Sequence, residues 1–84
     1  MHYVYLLRSL KDESFYIGYT KDLRKRIKEH NQGKTKSIKC KIPLELIYYE
    51  AYKNKTDARK RELELKKKGY SKEQLLKRLE NSLK

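Results

Sequence analysis

The fold is decided by residues 3–20, which read YVYLLRSLKDESFYIGYT. Residues 3–7 and residues 15–19 are both rich in aromatic and branched side chains, which is typical of β-strands. Between them, residues 11–14 are polar and predict a turn. The stretch as a whole therefore predicts a β-hairpin.

Side chains alternate between the two faces of each strand of this hairpin. The most apolar of them share one face, and we expect these in the core: Val4, Leu6 and Ile17. Tyr5, Tyr16 and Gly18 share the opposite, more polar face. A glycine in the middle of a strand leaves room for a ligand or another backbone to approach closely. Because tyrosine is also a good strand former, the hairpin alone leaves open whether the two tyrosines are functional.

A first helix and a third strand follow the hairpin. Leu23 and Ile27 are four residues apart, which predicts a helix over residues 21–31. Residues 34–41 are basic and lack periodicity, so they predict a loop. Residues 44–52 are apolar and aromatic and predict the third strand.

Two further helices complete the predicted order β-β-α-β-α-α, that of a single α+β domain over residues 1–84. Asn54 or Thr56 can cap a helix that runs to about Lys68, where Gly69 ends it. A capping-box pattern that begins at Ser71 opens the last helix, which extends to about residue 83.

The amino-acid composition limits the classes of protein to which the chain can belong. The chain of 84 residues has 23 Lys and Arg against 11 Asp and Glu, a formal net charge of +12. This surplus favours a polyanionic partner, although lysines also serve simply to solvate helix faces. A single cysteine, Cys40, excludes a disulfide framework, and one Cys with two His cannot form a structural zinc site. With neither a signal peptide nor a membrane-spanning run in the sequence, we expect a cytoplasmic protein with no membrane partner.

The first helix carries two polar side chains near its packing face. At about 100° per residue, His30 falls between Leu23 and Ile27, and Arg26 lies on the flank of the same stripe. Arginine suits a phosphate because its planar fork donates two parallel hydrogen bonds and keeps its charge. Histidine can donate to a phosphate oxygen or move a proton near neutral pH, and it also serves as a capping or packing residue.

The second helix carries a carboxylate on its inward stripe. Ala58, Glu62 and Leu65 recur at i, i+4 and i+7, so Glu62 is expected in the middle of the face directed at the sheet. A carboxylate in that position needs a cation. Two alternatives remain open, a metal ion or a salt bridge to one of the basic side chains Arg59, Lys66 and Arg26.

These positions resemble a known family. Tyr3-Val4-Tyr5, followed by Tyr16-Ile17-Gly18, resembles the paired tripeptides that name the GIY-YIG nuclease superfamily, with Tyr3 in place of the first Gly. The chain is similar to the small single-domain members through residues 16–31, 46–51 and 57–66. The resemblance spans about residues 3–68.

The resemblance implies a three-stranded antiparallel sheet flanked by helices, and phosphodiester hydrolysis with one Mg²⁺ or Mn²⁺. The family's functional residues fall on five positions: Tyr5, Tyr16, Arg26, His30 and Glu62. Glu62 is implied to bind the metal, Arg26 to stabilise charge on the phosphoryl group, and one of the two tyrosines to accept the proton of the attacking water. The resemblance also implies that His30 orients the reacting groups or relays the proton. Four lysines are expected to contact the nucleic-acid backbone together with Arg26: Lys34, Lys36, Lys39 and Lys41.

The sequence thus predicts a metal-dependent endonuclease, structure-directed or weakly specific, that acts in repair or recombination. DNA is favoured over RNA as its partner. The alternative is a catalytically weak or inactive nucleic-acid-binding module on the same fold. No pattern in the sequence predicts the oligomeric state.

Overall fold

The computed structural model describes residues 1–67 and 70–84. Within these residues, one antiparallel sheet is formed by β1 (His2–Ser9), β2 (Phe15–Thr20) and β3 (Leu44–Tyr52). The strand order is β2-β1-β3, so β1 is the central strand. The helices are α1 (Leu23–Asn31), a 3-10 helix (Lys36–Lys41), α2 (Lys55–Lys66) and α3 (Tyr70–Arg78). This confirms the predicted α+β class and the order β-β-α-β-α-α.

The first face of the sheet packs against α2 and α3. The buried apolar side chains on this face come from β1, β2 and both helices: Val4, Leu6, Ile17, Ala58, Leu65 and Leu75. The hairpin residues predicted for the core are therefore confirmed. The predicted inward stripe of α2 is also confirmed, because Ala58, Glu62 and Leu65 are the buried residues of this helix.

The second face, which was expected to be the more polar one, is also covered. Tyr5, Leu7, Ile38 and Leu44 form a second buried cluster, against which Leu23 of α1 and other side chains pack. The 3-10 helix carries Ile38 to this face, and Tyr5 itself is only 1% exposed. A domain of this size gains stability by burying both faces of its sheet.

The observed helix ends differ from several of the predicted ones. Asp22 caps α1 by accepting a hydrogen bond from the backbone N–H of Lys25 at 3.1 Å, so the helix begins at Leu23 rather than at residue 21. Asn54, not Thr56, caps α2, since its side chain accepts from the Thr56 N–H at 2.7 Å. The basic stretch predicted as a loop contains the 3-10 helix instead.

The last helix differs from the prediction at both ends. It begins at Tyr70 and ends at Arg78, well before residue 83. Ser71 lies inside the helix, and its hydroxyl donates to Glu64 Oε1 at 3.0 Å instead of capping. The predicted end of α2 at Lys68 and Gly69 lies outside the described residues. In the described ranges, no helix is both long enough and apolar enough to cross a membrane.

Candidate functional site

Three aromatic side chains from separate elements meet on the α1 face of the sheet. The ring centroids of Tyr5 on β1 and Tyr16 on β2 are 6.3 Å apart. His30 on α1 lies 5.8 Å from the Tyr5 ring and 5.3 Å from the Tyr16 ring, centroid to centroid. Tyr5 Oη and His30 Nε2 are hydrogen-bonded at 2.7 Å. These three side chains are called the ring cluster below.

Gly18 makes this arrangement possible. Tyr5 and Gly18 are direct partners across the β1–β2 ladder, and the Tyr5 ring lies over the glycine. A Cβ atom at position 18 would stand 2.9 Å from Cε2 of Tyr5 and closer still to Cζ and Oη. The space that a glycine in mid-strand leaves is therefore filled by a tyrosine side chain, which reaches across it toward His30.

His30 is held as a neutral imidazole. The side chain is fully buried, and burial lowers its pKa, with the positive charge of Arg26 acting in the same direction and Glu29 opposing it. Nδ1 is buried and has no hydrogen-bond partner within residues 1–67 and 70–84. The lowered pKa therefore keeps the imidazole neutral at neutral pH.

Tyr5 is held as a protonated phenol. Burial raises its pKa to about 12, and Tyr16 and Glu62 also raise it, whereas Arg26 lowers it. Tyr16 is only half-buried. Of the two tyrosines, Tyr16 is thus the one that water can reach, which is a requirement for a group that takes a proton from water.

Arg26 lies beside this cluster with a partly exposed guanidinium group. Its Nη1 atom is 3.7 Å from Glu29 Oε1, one turn along α1. A surface ion pair of this length contributes little to stability, so the guanidinium can turn to a phosphate at small cost. The predicted placement of Arg26 and His30 near the packing face of α1 is confirmed, since His30 is buried and the charge of Arg26 acts on both His30 and Tyr5.

Glu62 approaches from α2, the helix on the opposite face of the sheet. Its side chain is 6% exposed and forms two ion pairs, from Oε1 to Arg59 Nη1 and from Oε2 to Lys66 Nζ, both at 2.9 Å. Two of the three salt-bridge partners considered from the sequence are therefore present, and Arg26 pairs with Glu29 instead. Both partners of Glu62 have about half of their side-chain surface exposed, at 50% and 46%.

The structure therefore brings Tyr5, Tyr16 and His30 into contact with Arg26 beside them, and it places Glu62 on the opposite face of the sheet. Glu62 belongs to the other layer, yet its charge raises the pKa of Tyr5. Edge strand β2 links the two layers. It carries Tyr16 in the ring cluster, and the Arg59 guanidinium from α2 lies 5.2 Å from the centroid of its Tyr19 ring.

The expected metal ion would be coordinated by carboxylate side chains. Within the described residues, no group of three or more His, Cys, Asp or Glu side chains is arranged to hold an ion. Mg²⁺ commonly binds through one or two carboxylates and completes its shell with water and substrate phosphates. A single buried carboxylate such as Glu62 fits that mode and does not fit an all-protein cage.

The predicted backbone-binding lysines differ in their surroundings. Lys34, Lys36 and Lys39 are exposed in and before the 3-10 helix. Lys41 is half-buried, and its Nζ atom pairs with Asp12 Oδ2 at 2.7 Å. The first three are therefore the more accessible to a nucleic-acid backbone.

Comparison with known proteins places the chain in a family. The model of the GIY-YIG catalytic domain matches residues 1–82. A UPF0213 protein of Staphylococcus epidermidis is 42% identical over 80 residues, which are 94% of each chain. A UPF0213 protein of Clostridium perfringens is 47% identical over 68 residues, 80% of this chain and 72% of that protein.

A solved structure agrees with these matches. The solution NMR structure of a UPF0213 protein from Bacillus halodurans is 39% identical and has a TM-score of 0.56, covering 93% of this chain and 83% of that one. The family model covers nearly the whole chain, and its name describes a catalytic domain. The chain therefore belongs to the GIY-YIG catalytic-domain family, which implies a nuclease that acts on nucleic acid.

Proposed function

We propose that this protein is a divalent-metal-dependent endonuclease that hydrolyses phosphodiester bonds with Glu62, Arg26 and the ring cluster. The observation that carries the proposal is the environment of Glu62. This carboxylate is almost fully buried, its charge acts on a tyrosine of the ring cluster, and its only ion-pair partners among the described residues are two half-exposed side chains. A buried carboxylate with displaceable partners is suited to exchange them for a metal ion.

Arg26 is the group proposed to bind the scissile phosphate. Its guanidinium is partly exposed beside the ring cluster, and its pairing with Glu29 is weak at 3.7 Å. Two parallel N–H donors match two phosphoryl oxygens, and the fixed positive charge stabilises the negative charge that builds up during displacement.

Tyr16 is the group proposed to accept the proton of the attacking water, and its own phenolic proton would pass to the neutral imidazole of His30. Tyr5 is the weaker candidate, because its phenol is buried and its pKa is about 12. Tyr5 instead fixes His30 through the 2.7 Å hydrogen bond between Oη and Nε2. His30, kept neutral by burial, can then orient Tyr16 through their ring contact or accept a relayed proton.

Glu62 is the proposed ligand for one Mg²⁺ or Mn²⁺. When bound, such an ion neutralises charge on the phosphate and stabilises the leaving oxygen. Arg59 and Lys66 would have to release the carboxylate for this to occur. Both side chains are long, flexible and half-exposed, which keeps the cost of their release small.

The proposed substrate is DNA in preference to RNA, recognised by its backbone and its structure rather than by its bases. The net charge of +12 supports phosphate contacts, and exposed Lys34, Lys36 and Lys39 offer three of them. Branched, nicked and flapped DNA are therefore the substrates proposed, as they arise in repair and recombination. A cytoplasmic location agrees with such a role.

A cleavage assay on end-labelled branched, nicked and flapped DNA, with Mg²⁺ or Mn²⁺, tests this function. We expect Glu62→Gln and Arg26→Ala each to lower the cleavage rate by roughly 100-fold or more, the typical loss when one transition-state contact is removed. Glu73→Gln is the matched control, because Glu73 is an exposed carboxylate in the first turn of α3. Cleavage by Glu62→Gln and Arg26→Ala at the parental rate would refute the assignment.

A binding module without turnover is the second candidate, and the ion pairs of Glu62 favour it. If Arg59 and Lys66 are permanent partners, the carboxylate has a structural role only. This candidate predicts salt-sensitive DNA binding that survives Glu62→Gln and needs no metal. Such binding, with no cleavage of any DNA in the panel, would favour it over the enzyme.

A further inference from the structure

A cleft of about 520 Å³ lies on the α1 face of the sheet, separate from the ring cluster. Its size falls within the range of about 300–1,000 Å³ that is usual for small-ligand sites. Two tyrosines line it, Tyr3 on β1 and Tyr49 on β3, and their rings meet edge to face with centroids 6.0 Å apart. Leu23, Ile27 and Leu46 supply apolar lining.

Helix α1 separates this cleft from the candidate catalytic groups. At about 100° per residue, Leu23, Ile27 and His30 share the packing face of α1, with Arg24 on one flank of this face and Arg26 on the other. Arg24 lines the cleft together with Ile27 and side chains of β3, whereas Arg26 lies on the flank beside the ring cluster, where His30 contacts Tyr16 on β2. The helix thus has one candidate surface on each flank.

The charges at the cleft favour an anionic ligand. Lys21 and Arg24 line it and are both exposed. Its acidic residue, Asp22, is already engaged as the N-cap of α1, where it accepts from the Lys25 N–H at 3.1 Å. The cleft therefore combines flat aromatic rings, apolar lining and two accessible cations, as in sites that stack bases and contact phosphates.

Tyr49 is unusually exposed for an aromatic side chain in the middle of a strand. Its exposed fraction is 51%, and it is one of the large hydrophobic residues that the fold leaves open to solvent. Tyrosine offers a broad apolar face with little loss of conformational freedom on binding. An exposed ring next to two cations is suited to stack on a nucleic-acid base that is itself exposed to solvent.

We propose that this cleft binds an unpaired nucleotide of the DNA substrate, with its base stacked on Tyr49 and its flanking phosphates near Lys21 and Arg24. The inference rests on the proposed function, because it takes DNA as the substrate. It deepens that function by naming the feature of the substrate that is recognised, a single-stranded segment adjoining the bond to be cut.

The sheet register sets the spacing between the two surfaces. Tyr49 and Tyr5 are partners across the β1–β3 ladder, so the cleft begins one strand away from the ring cluster. An α-helix with its side chains is about 10–12 Å across, and α1 lies between the two surfaces. A nucleotide in the cleft is therefore close, along the DNA strand, to the scissile phosphate. This spacing favours junctions between paired and unpaired DNA as substrates.

The test compares a labelled oligothymidine of about 12 nucleotides, within the site sizes of single-strand binders, with a blunt duplex of equal phosphate number. We expect Tyr49→Leu to weaken oligothymidine binding roughly fivefold or more, the loss of one stacking contact. Duplex binding should be unchanged, and Tyr49→Phe should retain the parental affinity for both.

A charge substitution gives an independent measurement. Arg24→Ala should reduce the salt dependence of oligothymidine binding by one phosphate contact, about 0.7 in the slope of log K against log salt. Lys77→Ala is the matched control, because Lys77 is an exposed cation on α3, across the sheet from the cleft. It should leave the slope unchanged.

The outcomes separate this inference from the proposed function. The inference is overturned if Tyr49→Leu binds oligothymidine with the parental affinity, or if its affinity for the duplex falls by the same factor. It is also overturned if the parent does not bind oligothymidine. Cleavage of nicked DNA is measured on the same preparations. A parent that fails to cleave contradicts the proposed function, whereas a ring-specific loss in Tyr49→Leu supports the cleft whether or not cleavage is seen.

Discussion

Gly18→Ala is the substitution that tests the geometry of the ring cluster most sharply. The added methyl group would stand 2.9 Å from Cε2 of Tyr5 and closer to Cζ and Oη, all of them distal atoms of a ring that is 1% exposed. A buried ring cannot move aside freely, so either the Tyr5 ring leaves His30 or strand β2 shifts. Both changes disturb the proposed site.

The expected magnitude follows from these contacts. Overpacking a well-packed site costs about 1–3 kcal/mol, and loss of the hydrogen bond between Tyr5 and His30 adds about 1 kcal/mol. Replacing glycine by alanine in a strand returns about 0.5–1 kcal/mol of backbone entropy. The net loss of unfolding free energy is therefore about 2 kcal/mol, or a fall in melting temperature of roughly 8–16 °C for a domain of this size.

The assay is thermal and urea unfolding of Gly18→Ala in two backgrounds, the parent and Tyr5→Leu. Leucine lacks the distal ring atoms that the new methyl group meets, so Gly18→Ala should be nearly neutral in that background. Gly33→Ala is a comparison, because it strains a backbone with φ of 76° while its Cβ has ordinary contacts with Lys39. An equal loss from Gly18→Ala in both backgrounds, or no loss in the parent, would refute the close approach of Tyr5.

Three further substitutions test the charges. His30→Gln should flatten the fall in stability between about pH 7 and about pH 5, because the lowered pKa of His30 makes the folded state resist a proton that the unfolded chain accepts below about 6.5. Arg59→Ala should lower the Mn²⁺ concentration for half-maximal cleavage roughly two- to fivefold, since it removes a half-exposed partner of Glu62. Arg61→Ala should lower the unfolding free energy by about 2 kcal/mol in urea without changing cleavage, because it leaves Glu50 without its 3.0 Å hydrogen bond.

Controls for these three substitutions lie within the chain. His2→Gln should keep most of the pH dependence, since the His2 ring stacks on Tyr19 at the end of β1 and is not fully buried. If the stability of His30→Gln falls with pH as steeply as that of the parent, another group carries the effect. An unchanged Mn²⁺ requirement in Arg59→Ala would mean that the ion does not compete for Glu62, and impaired cleavage in Arg61→Ala would connect the Glu50 pair to the site.

Burial alone would raise the pKa of Glu50, but its hydrogen bonds with Arg61, Tyr52 and Tyr48 outweigh it and hold the pKa below the usual value. The carboxylate therefore contributes stability above its unfolded pKa, near 4.3, which is lost as the pH falls through the folded value. Arg61→Ala should thus make unfolding less sensitive to acid as well as easier at neutral pH.

Local periodicity predicted much of the fold and part of the candidate site. The two-residue alternation of the hairpin identified Val4, Leu6 and Ile17 as core residues, and the helical stripe of α2 identified Glu62 as a buried carboxylate. Both are properties of one element and its nearest partner. The same holds for His30, which its spacing from Leu23 and Ile27 assigned to the packing face of α1.

Features that depend on several elements were not predicted. The burial of the face with Tyr5 and Tyr16 was not predicted, because no pattern in the sequence indicates that the 3-10 helix brings Ile38 over it. The opposite layers of α1 and α2 could not be inferred from their stripes, since a stripe shows that a helix packs on a sheet but not on which face. The capping box at Ser71 failed because Glu64 of the preceding helix binds its hydroxyl.

The central claim is that Glu62 exchanges its two ion pairs for a divalent metal at the nuclease site, and Mn²⁺ bound in crystals tests it most directly. Anomalous diffraction should be measured from Mn²⁺-soaked crystals of the parent and of Glu62→Gln. We predict an anomalous peak beside the Glu62 carboxylate in the parent, with Arg59 Nη1 and Lys66 Nζ withdrawn from their 2.9 Å contacts, and no peak in Glu62→Gln. Intact ion pairs and no peak at Glu62 would contradict the claim.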